Sequence, residues 1–470
     1  MKRQSLKLKV KSLRFFLFRN LFFEQDFLTS YFLLLSSVFF LYSCLPQQKL
    51  VKQLKRDLLN DSALTNAHIG VAVYNTETKK YLYQYNSNKY FVPASNTKLP
   101  TLYAGLKYLG DSLVALKYKE QHDTLFLLPT GDPTLLHPDY KNQPVYDFLK
   151  NQNKTLVISN EKWKAEALGF GWAWDDYLGA YMPERSSLPV YGNIIKWIQE
   201  RSIEKKETVT DTATLVYTDP EINWDAKFST TKSNSFDVRR PRTENTYTII
   251  EGREMKRDLN IPFVTNGLQS ALDLLKDTLH KNIIEFNSQI FKSSNFQILN
   301  SQPVDSLFKP LMHRSDNFFA EQVLMMVSNQ LLGYMDEQKL IDTILKTDLK
   351  DFPQKPKWVD GSGLSRYNLF SPEDFVWLLN KMKEEFGLER LKVILPTGNE
   401  GTLRNYYKDE TGFIYAKTGT LSGQVALSGF LLTSKNKLLI FSVQVNNHNT
   451  SSTAVRRAVE KFLRKVRTSN

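Results

Sequence analysis

Ser95 and Lys98 stand three residues apart in Pro93-Ala94-Ser95-Asn96-Thr97-Lys98-Leu99-Pro100, where a polar hairpin region gives way to a helical pattern. On a helix, positions i and i+3 share a face about one turn apart. A serine hydroxyl is a poor nucleophile until a base takes its proton, and an amine one turn away can be that base. The spacing alone is weak evidence. It recurs at Ser159/Lys162, Ser202/Lys205, Ser229/Lys232, Ser306/Lys309 and Ser434/Lys437, so Ser95 must be distinguished by its company. Ser315-Asp316-Asn317 opens a helical pattern after Arg314, and Lys417-Thr418-Gly419-Thr420 ends a strand pattern with the chain's one Lys-Thr-Gly.

These types suit one chemistry. Ser95 attacks a carbonyl to form an acyl-enzyme. Lys98, between other cations and partly desolvated, has a lowered pKa and acts as base. Ser315 relays a proton towards the leaving amine, and Asn317 hydrogen-bonds both Lys98 and a substrate amide. Lys417 adds positive potential. The hydroxyls of Thr418 and Thr420, across Gly419, hold a terminal carboxylate. The backbone N–H groups of Ser95 and Thr420 form an oxyanion hole. Competing chemistries lack support. The six histidines are scattered, with no His-Glu-x-x-His, and there is no Gly-x-Ser-x-Gly elbow.

The patterns predict elements that place these groups. A hairpin over His68–Tyr74 and Lys80–Tyr85 precedes a helix from Ser95 to about Leu109. Short β-like runs (Thr124–Leu128, Thr155–Ile158, Thr214–Tyr217, Thr246–Ile250) mark a β-rich stretch over 118–262, before a helix at Leu268–Leu279. Asn317–Leu332 and Glu373–Lys383 read as helices, and Asp360-Gly361-Ser362-Gly363 as a tight turn. Phe413–Thr420, Gln424–Leu432 and Lys437–Asn446 read as successive strands. A final helix has Val455, Val459, Phe462, Leu463 and Val466 on one face and a basic, solvated opposite face at Arg456, Arg457, Arg464 and Lys465.

With 470 residues and 41% hydrophobic content, the chain has room for two domains or three. A net charge of +13 invites nucleic acid, anionic lipid or an anionic polymer as partner, but no nucleic-acid motif accompanies it. Residues 1–20 are cationic, Tyr31 to Ser43 is almost wholly apolar, and the single cysteine, Cys44, follows. This reads as a signal segment over 1–43. Leu41-Tyr42-Ser43-Cys44 resembles a bacterial lipobox, which makes Cys44 a lipidated first residue and the protein an exported, membrane-anchored lipoprotein. A helix is expected over 47–60.

Ser-x-x-Lys, Ser-x-Asn and Lys-Thr-Gly in this order form the set of penicillin-binding proteins and class A β-lactamases. Longer stretches narrow it. Gly131-Asp132-Pro133-Thr134-Leu135, Gly171-Trp172-Ala173-Trp174-Asp175-Asp176, His313–Glu321, Asp360-Gly361-Ser362-Gly363-Leu364-Ser365-Arg366 and Leu395-Pro396…Gly401-Thr402-Leu403-Arg404 resemble the class C low-molecular-mass penicillin-binding proteins. These are the D-alanyl-D-alanine carboxypeptidase/endopeptidase family of penicillin-binding protein 4 type. The resemblance implies an α/β (α+β) fold. A penicilloyl-serine-transferase domain of β-lactamase/transpeptidase type (44–117 plus 263–470), with an antiparallel sheet between helices, is interrupted by the β-rich insertion at 118–262. It implies a serine D,D-peptidase on peptidoglycan peptides, inhibited by β-lactams, with no metal or organic cofactor and no nucleic acid. It also implies a pocket for a diaminopimelate side chain at Asp176, Tyr181 and Arg366, whose opposite charges suit a zwitterionic end. Trp172 and Trp174 are expected to pack, and Asp132 to serve a turn. Two alternatives stay open: a β-lactamase or esterase on the same nucleophile, and a catalytically silent peptidoglycan-binding envelope protein.

Overall fold

The computed structural model describes residue 56 and residues 58–470, apart from 207–208 and 287–294. The expected signal segment 1–43, Cys44 and most of the expected 47–60 helix lie outside these residues. Residues from Ser62 onward carry every element named below.

The hairpin forms as strands β1 (His68–Asn75) and β2 (Lys80–Tyr85). The Asn75 side chain closes its turn, accepting from the N–H groups of Glu77 at 2.9 Å and Thr78 at 3.0 Å. A short 3-10 turn, Ala94–Thr97, then runs into helix α1 (Lys98–Tyr108).

The next segment is built mainly of strands: β3 (Ser112–Gln121) and β4 (Thr124–Pro129), helix α2 (Pro144–Lys150), then β5 (Thr155–Ile158), β6 (Ile194–Lys206), β7 (Val209–Asp219), β8 (Ala226–Phe228), β9 (Asp237–Arg239), β10 (Tyr247–Ile250) and β11 (Lys256–Pro262). Helix α3 (Gln269–Leu279), β12 (Ile283–Glu285) and β13 (Gln297–Pro303) complete it. They make a five-stranded sheet ordered β12-β5-β4-β3-β13 and two three-stranded sheets, β11-β6-β7 and β8-β10-β9. Their shared core runs from Ala115 to Leu279 and includes Trp197, Phe236, Tyr247 and Phe263. The expected limits, 118–262, fall inside this structure. β3 begins at Ser112 and pairs antiparallel with β13, which ends at Pro303. This pairing joins strands on either side of the expected limits, and composition does not report it. Asp132 serves its turn, accepting from Thr134 N–H at 2.9 Å, and also bonds the Ser301 hydroxyl.

The remaining elements are α4 (Val304–His313), α5 (Asn317–Leu332), α6 (Glu337–Lys346), α7 (Pro372–Phe386), α8 (Leu388–Ile394), β14 (Ile414–Leu421), β15 (Gln424–Leu432), β16 (Leu438–Asn446) and α9 (Ser452–Ser469). β14-β15-β16-β1-β2 form one antiparallel sheet, with chain-end strand β16 paired to β1 from His68↔Asn446 to Asn75↔Leu439. β15 and β16 are buried along almost their whole length, because helices cover both faces. Phe430 and Ile440 join the core shared with α1, α5 and α7, whereas Val425 and Leu427 face Val459 of α9. α5 is the central helix, buried without a break from Phe318 to Asn329. Its apolar residues lie all round rather than in a stripe, as burial on every side requires. Among the described residues no helix is long and apolar enough to cross a membrane.

Candidate active site

Ser95 sits at the N-terminal end of α1, next to a backbone position that few residues adopt: Ala94 has φ +48°. Two neighbours hold this turn. The Asn96 side chain donates to the Lys417 carbonyl of β14 at 3.0 Å, and the Thr101 hydroxyl to the Gly361 carbonyl at 2.7 Å. Both approaches require glycine. A Cβ on Gly419 would stand 2.6 Å from the Pro93 carbonyl oxygen, and one on Gly363, itself at φ +85°, 2.0 Å from that of Ala94.

Lys98 is fully buried. Its Nζ lies 2.6 Å from Asn317 Oδ1, 2.6 Å from the Ser362 carbonyl oxygen and 3.1 Å from Ser95 Oγ. The first two partners only accept. A neutral amine gives them its two N–H bonds and turns its lone pair to the Ser95 hydroxyl. Burial draws the Lys98 pKa down to about 8, against the opposing pull of Asp360, Glu321 and Asp316.

Asn317 and Glu321 lie one turn apart on α5 and face the same way. Asp316 caps that helix, accepting from Phe319 N–H at 3.0 Å, and Ser315 precedes it at φ +62°. The Ser315 hydroxyl accepts from Lys417 Nζ at 2.8 Å, which also donates to the Thr418 carbonyl at 2.7 Å. Burial, with Lys98 and Arg456 nearby, holds the Lys417 pKa well below the ordinary ammonium range. Five of the sequence-derived residues thus fall into two hydrogen-bonded groups, Ser95–Lys98–Asn317 and Ser315–Lys417, close enough that Lys98 acts electrostatically on Lys417.

Three details differ from the sequence reading. The Asn317 amide nitrogen, expected to face a substrate amide, donates to the Tyr181 carbonyl at 2.9 Å. Thr418 is buried among Tyr406, Leu427 and Arg456, while Thr420 is exposed and accepts from Arg456 Nη2 at 2.5 Å. The basic face of the last helix is therefore not merely solvated. Arg457 pairs with Glu460 at 2.6 Å, and Arg464 with Glu410 and Asp409, both at 3.0 Å.

Of the expected pocket, Asp176 and Tyr181 are joined. Partial burial and a hydrogen bond with Asp176 push the Tyr181 phenol up to about 12. The Tyr181 backbone meets Asn317 as described, and Arg366 Nη2 donates to the Ser422 carbonyl beyond β14 at 3.2 Å. Trp172 packs as expected, its indole N–H donating to Asp360 Oδ2 at 3.0 Å. Trp174 does not; it is 70% exposed.

Sequence reasoning assigned no role to the groups beneath Lys98. Glu321 Oε1 accepts from Ser362 N–H at 2.7 Å, and the fully buried Arg185 bridges Glu321 at 3.3 Å and Glu337 at 3.0 Å. Asp360 accepts from the N–H groups of Gly363 at 2.9 Å and Ser365 at 2.7 Å, fixing the turn that presents the Ser362 carbonyl. A carboxylate inside an apolar helix was the available signal for Glu321. Arg185 had none. Among the described residues no three His, Cys, Asp or Glu side chains group as metal ligands.

A family model described as the D-Ala-D-Ala carboxypeptidase 3 (S13) family matches residues 50–466. The chain is 21% identical to the D-alanyl-D-alanine carboxypeptidase DacB of Haemophilus influenzae, over 82% of this chain and 86% of that protein. It is 24% identical to the D-alanyl-D-alanine carboxypeptidase of Actinomadura sp. strain R39, over 83% and 80%. The crystal structure of penicillin-binding protein 4 from H. influenzae, 22% identical, superposes with a TM-score of 0.67 over 88% of this chain and 98% of that one. A second structure of that protein, in complex with a β-lactam, is 21% identical over the same shares and gives 0.63.

Proposed function

The chain belongs to the D-Ala-D-Ala carboxypeptidase 3 (S13) family, and from that premise we propose that Ser95 is the nucleophile with which this serine D,D-peptidase opens D-alanyl bonds of peptidoglycan stem peptides. The observation that carries the assignment is the setting of Lys98 Nζ, 3.1 Å from Ser95 Oγ with two carbonyl acceptors at 2.6 Å. That arrangement directs the lone pair of the neutral amine at the hydroxyl.

In this reading Ser95 Oγ bonds to the carbonyl carbon of the penultimate D-alanine as its proton passes to Lys98. The oxyanion takes hydrogen bonds from the N–H groups of Ser95 and Thr420, a reading supported by the close approach of β14 at Gly419. The C–N bond then breaks. The leaving amine takes a proton from the Ser315 hydroxyl, which is replenished by way of Lys417 with the proton that Lys98 took from Ser95, so that Lys98 is neutral again and Lys417 keeps its charge. Water hydrolyses the resulting ester, with Lys98 again as base. β14 is an edge strand, so an extended peptide can lie along it in the manner of an added strand. A β-lactam acylates the same hydroxyl, in keeping with the β-lactam complex of the H. influenzae relative.

The pocket of Asp176, Tyr181 and Arg366 takes the diaminopimelate side chain: the carboxylate of Asp176 meets its amine and the guanidinium of Arg366 its carboxylate. The enzyme works in the cell envelope, where its polymer lies. The composition of residues 1–44 supports export through a signal segment at 1–43 and lipidation of Cys44, which together would tether it to a membrane. The test is to incubate the protein and its Ser95→Ala variant with monomeric and cross-linked muropeptides and weigh the products. Loss of terminal D-alanine or opening of cross-links by the wild type alone is expected; equal turnover by the variant removes Ser95 from the mechanism.

A further inference from the structure

The turn that carries Ser315 is held by groups outside the catalytic cycle above. Arg314 Nη2 lies 2.5 Å from Asp139 Oδ2 and 3.3 Å from Asp316 Oδ2. The second contact joins the residues on either side of Ser315 and pinches the turn. The first ties that pinch to the β-rich segment, in the loop between β4 and α2. Against the effect of burial, the Arg314 guanidinium holds the Asp139 carboxyl below its ordinary range, so the carboxylate is charged near neutral pH.

The loop is anchored on both helices that flank Ser315. Its Tyr140 hydroxyl donates to the Ser306 carbonyl of α4 at 3.2 Å, and its His137 ring packs on Phe319 of α5 with 4.9 Å between centroids. The Asp139 N–H donates to His137 Nδ1 at 3.2 Å, which fixes the residue relative to that ring. The other side of the junction is confined too, since a Cβ on Gly401 would stand 2.5 Å from the His313 carbonyl oxygen. Ser315 needs such a hold. Its φ of +62° lies in the left-handed region that serine resists, and a strained residue keeps its conformation only where the surroundings impose it. Its hydroxyl must also stay beside Lys417 Nζ, at 2.8 Å, to regain a proton.

We infer that Asp139 and Arg314 are positioning residues for proton transfer to the leaving amine, acting through Ser315. The inference rests on the peptidase reading above. It gives the β-rich segment a part in the reaction, because that segment supplies the outer half of the clamp.

The test uses two substrates that yield the same acyl-enzyme: a peptide ending in D-Ala-D-Ala, and its analogue with a thioester in place of the scissile amide. In the peptide the C–N bond breaks and the nitrogen takes its proton from Ser315. In the thioester the C–S bond breaks and the thiolate leaves with its electron pair, while the proton from Ser95 passes from Lys98 to water. For both, kcat/KM covers the steps through acylation. Asp139→Asn and Arg314→Lys are expected to lower kcat/KM for the peptide about tenfold, a fraction of what a general acid contributes, and to leave the thioester within about twofold. In a Ser315→Ala background Asp139→Asn costs nothing further, since both act through one hydroxyl. A merely structural role would slow both substrates together and would persist in Ser315→Ala. An unaltered peptide-to-thioester ratio in the two folded variants, or an undiminished effect of Asp139→Asn in Ser315→Ala, overturns the inference and leaves the peptidase reading intact. A wild type that leaves the peptide uncleaved overturns both.

Discussion

Lys98 Nζ and the Ser362 carbonyl oxygen lie 2.6 Å apart across 264 positions of chain. This contact uses no side chain of Ser362. It depends on a turn that Asp360 and Glu321 hold from either side, and it sends one N–H of the amine away from Ser95. The base is aimed by backbone that two buried carboxylates fix.

The first consequence concerns pH. Lys98 takes a proton only when neutral, and burial sets its pKa at about 8. Below that value the neutral fraction falls tenfold per unit. The rate constant for acylation is therefore expected to rise about tenfold per unit from pH 6 and to level above about 8. Asp360, Glu321, Asp316 and the Ser315–Lys417 pair are the groups that face this amine. Stopped-flow acylation across pH checks the profile; a rate that falls between pH 6 and 8 contradicts the assignment of base.

Glu321→Gln separates charge from geometry. Glutamine still accepts from Ser362 N–H, but it removes one of the two carboxylates on buried Arg185. Breaking a buried pair costs about 3–5 kcal/mol. With Glu337 still 3.0 Å from Arg185, the loss should sit at or below the lower end, roughly 2–3 kcal/mol, readable by denaturant titration. Glu321 raises the Lys98 pKa, so its neutralisation moves the acidic limb of the rate profile to lower pH.

Gly363→Ala tests the fit of the turn against Ser95. The added methyl would stand 2.0 Å from the Ala94 carbonyl oxygen, at a φ of +85° that alanine resists. The nucleophile must shift, and misplacement by about 1 Å is worth on the order of a hundredfold in rate. Acylation is expected to fall at least that far, with a lowered melting temperature; wild-type acylation by the variant would show that the turn does not position Ser95.

Much of the framework was legible in the residues. α5 begins at Asn317 and ends at Leu332 as its pattern implied, because Asp316 caps its start and Gly333, at φ +82°, ends it. β15 starts and ends at the expected residues, Gln424 and Leu432. What escaped was carried by contacts between distant residues. The β3–β13 pairing moved the edges of the β-rich segment, and no local composition announces a partner so far along the chain. Arg456 read as one of four basic residues on a solvated face, since its partner Thr420 is 36 positions away. The Ser362 carbonyl is backbone, and every residue has one.

The side-chain pocket makes a separate prediction. If Arg366 meets the free carboxylate of diaminopimelate, Arg366→Ala should lose preference for stem peptides with diaminopimelate over those with lysine. A charge-assisted pair of this kind contributes about 1.5–3 kcal/mol, so the preference should drop roughly tenfold to a hundredfold. Competition kinetics with paired peptides measure it, and an unchanged preference places the specificity elsewhere.

The most direct measurement on the central assignment is mass spectrometry of the protein after brief exposure to a β-lactam, followed by digestion. The account predicts one adduct of the drug's mass, on the peptide containing Ser95, and none in Ser95→Ala. An adduct mapped to any other serine, or one that persists in Ser95→Ala, would contradict it.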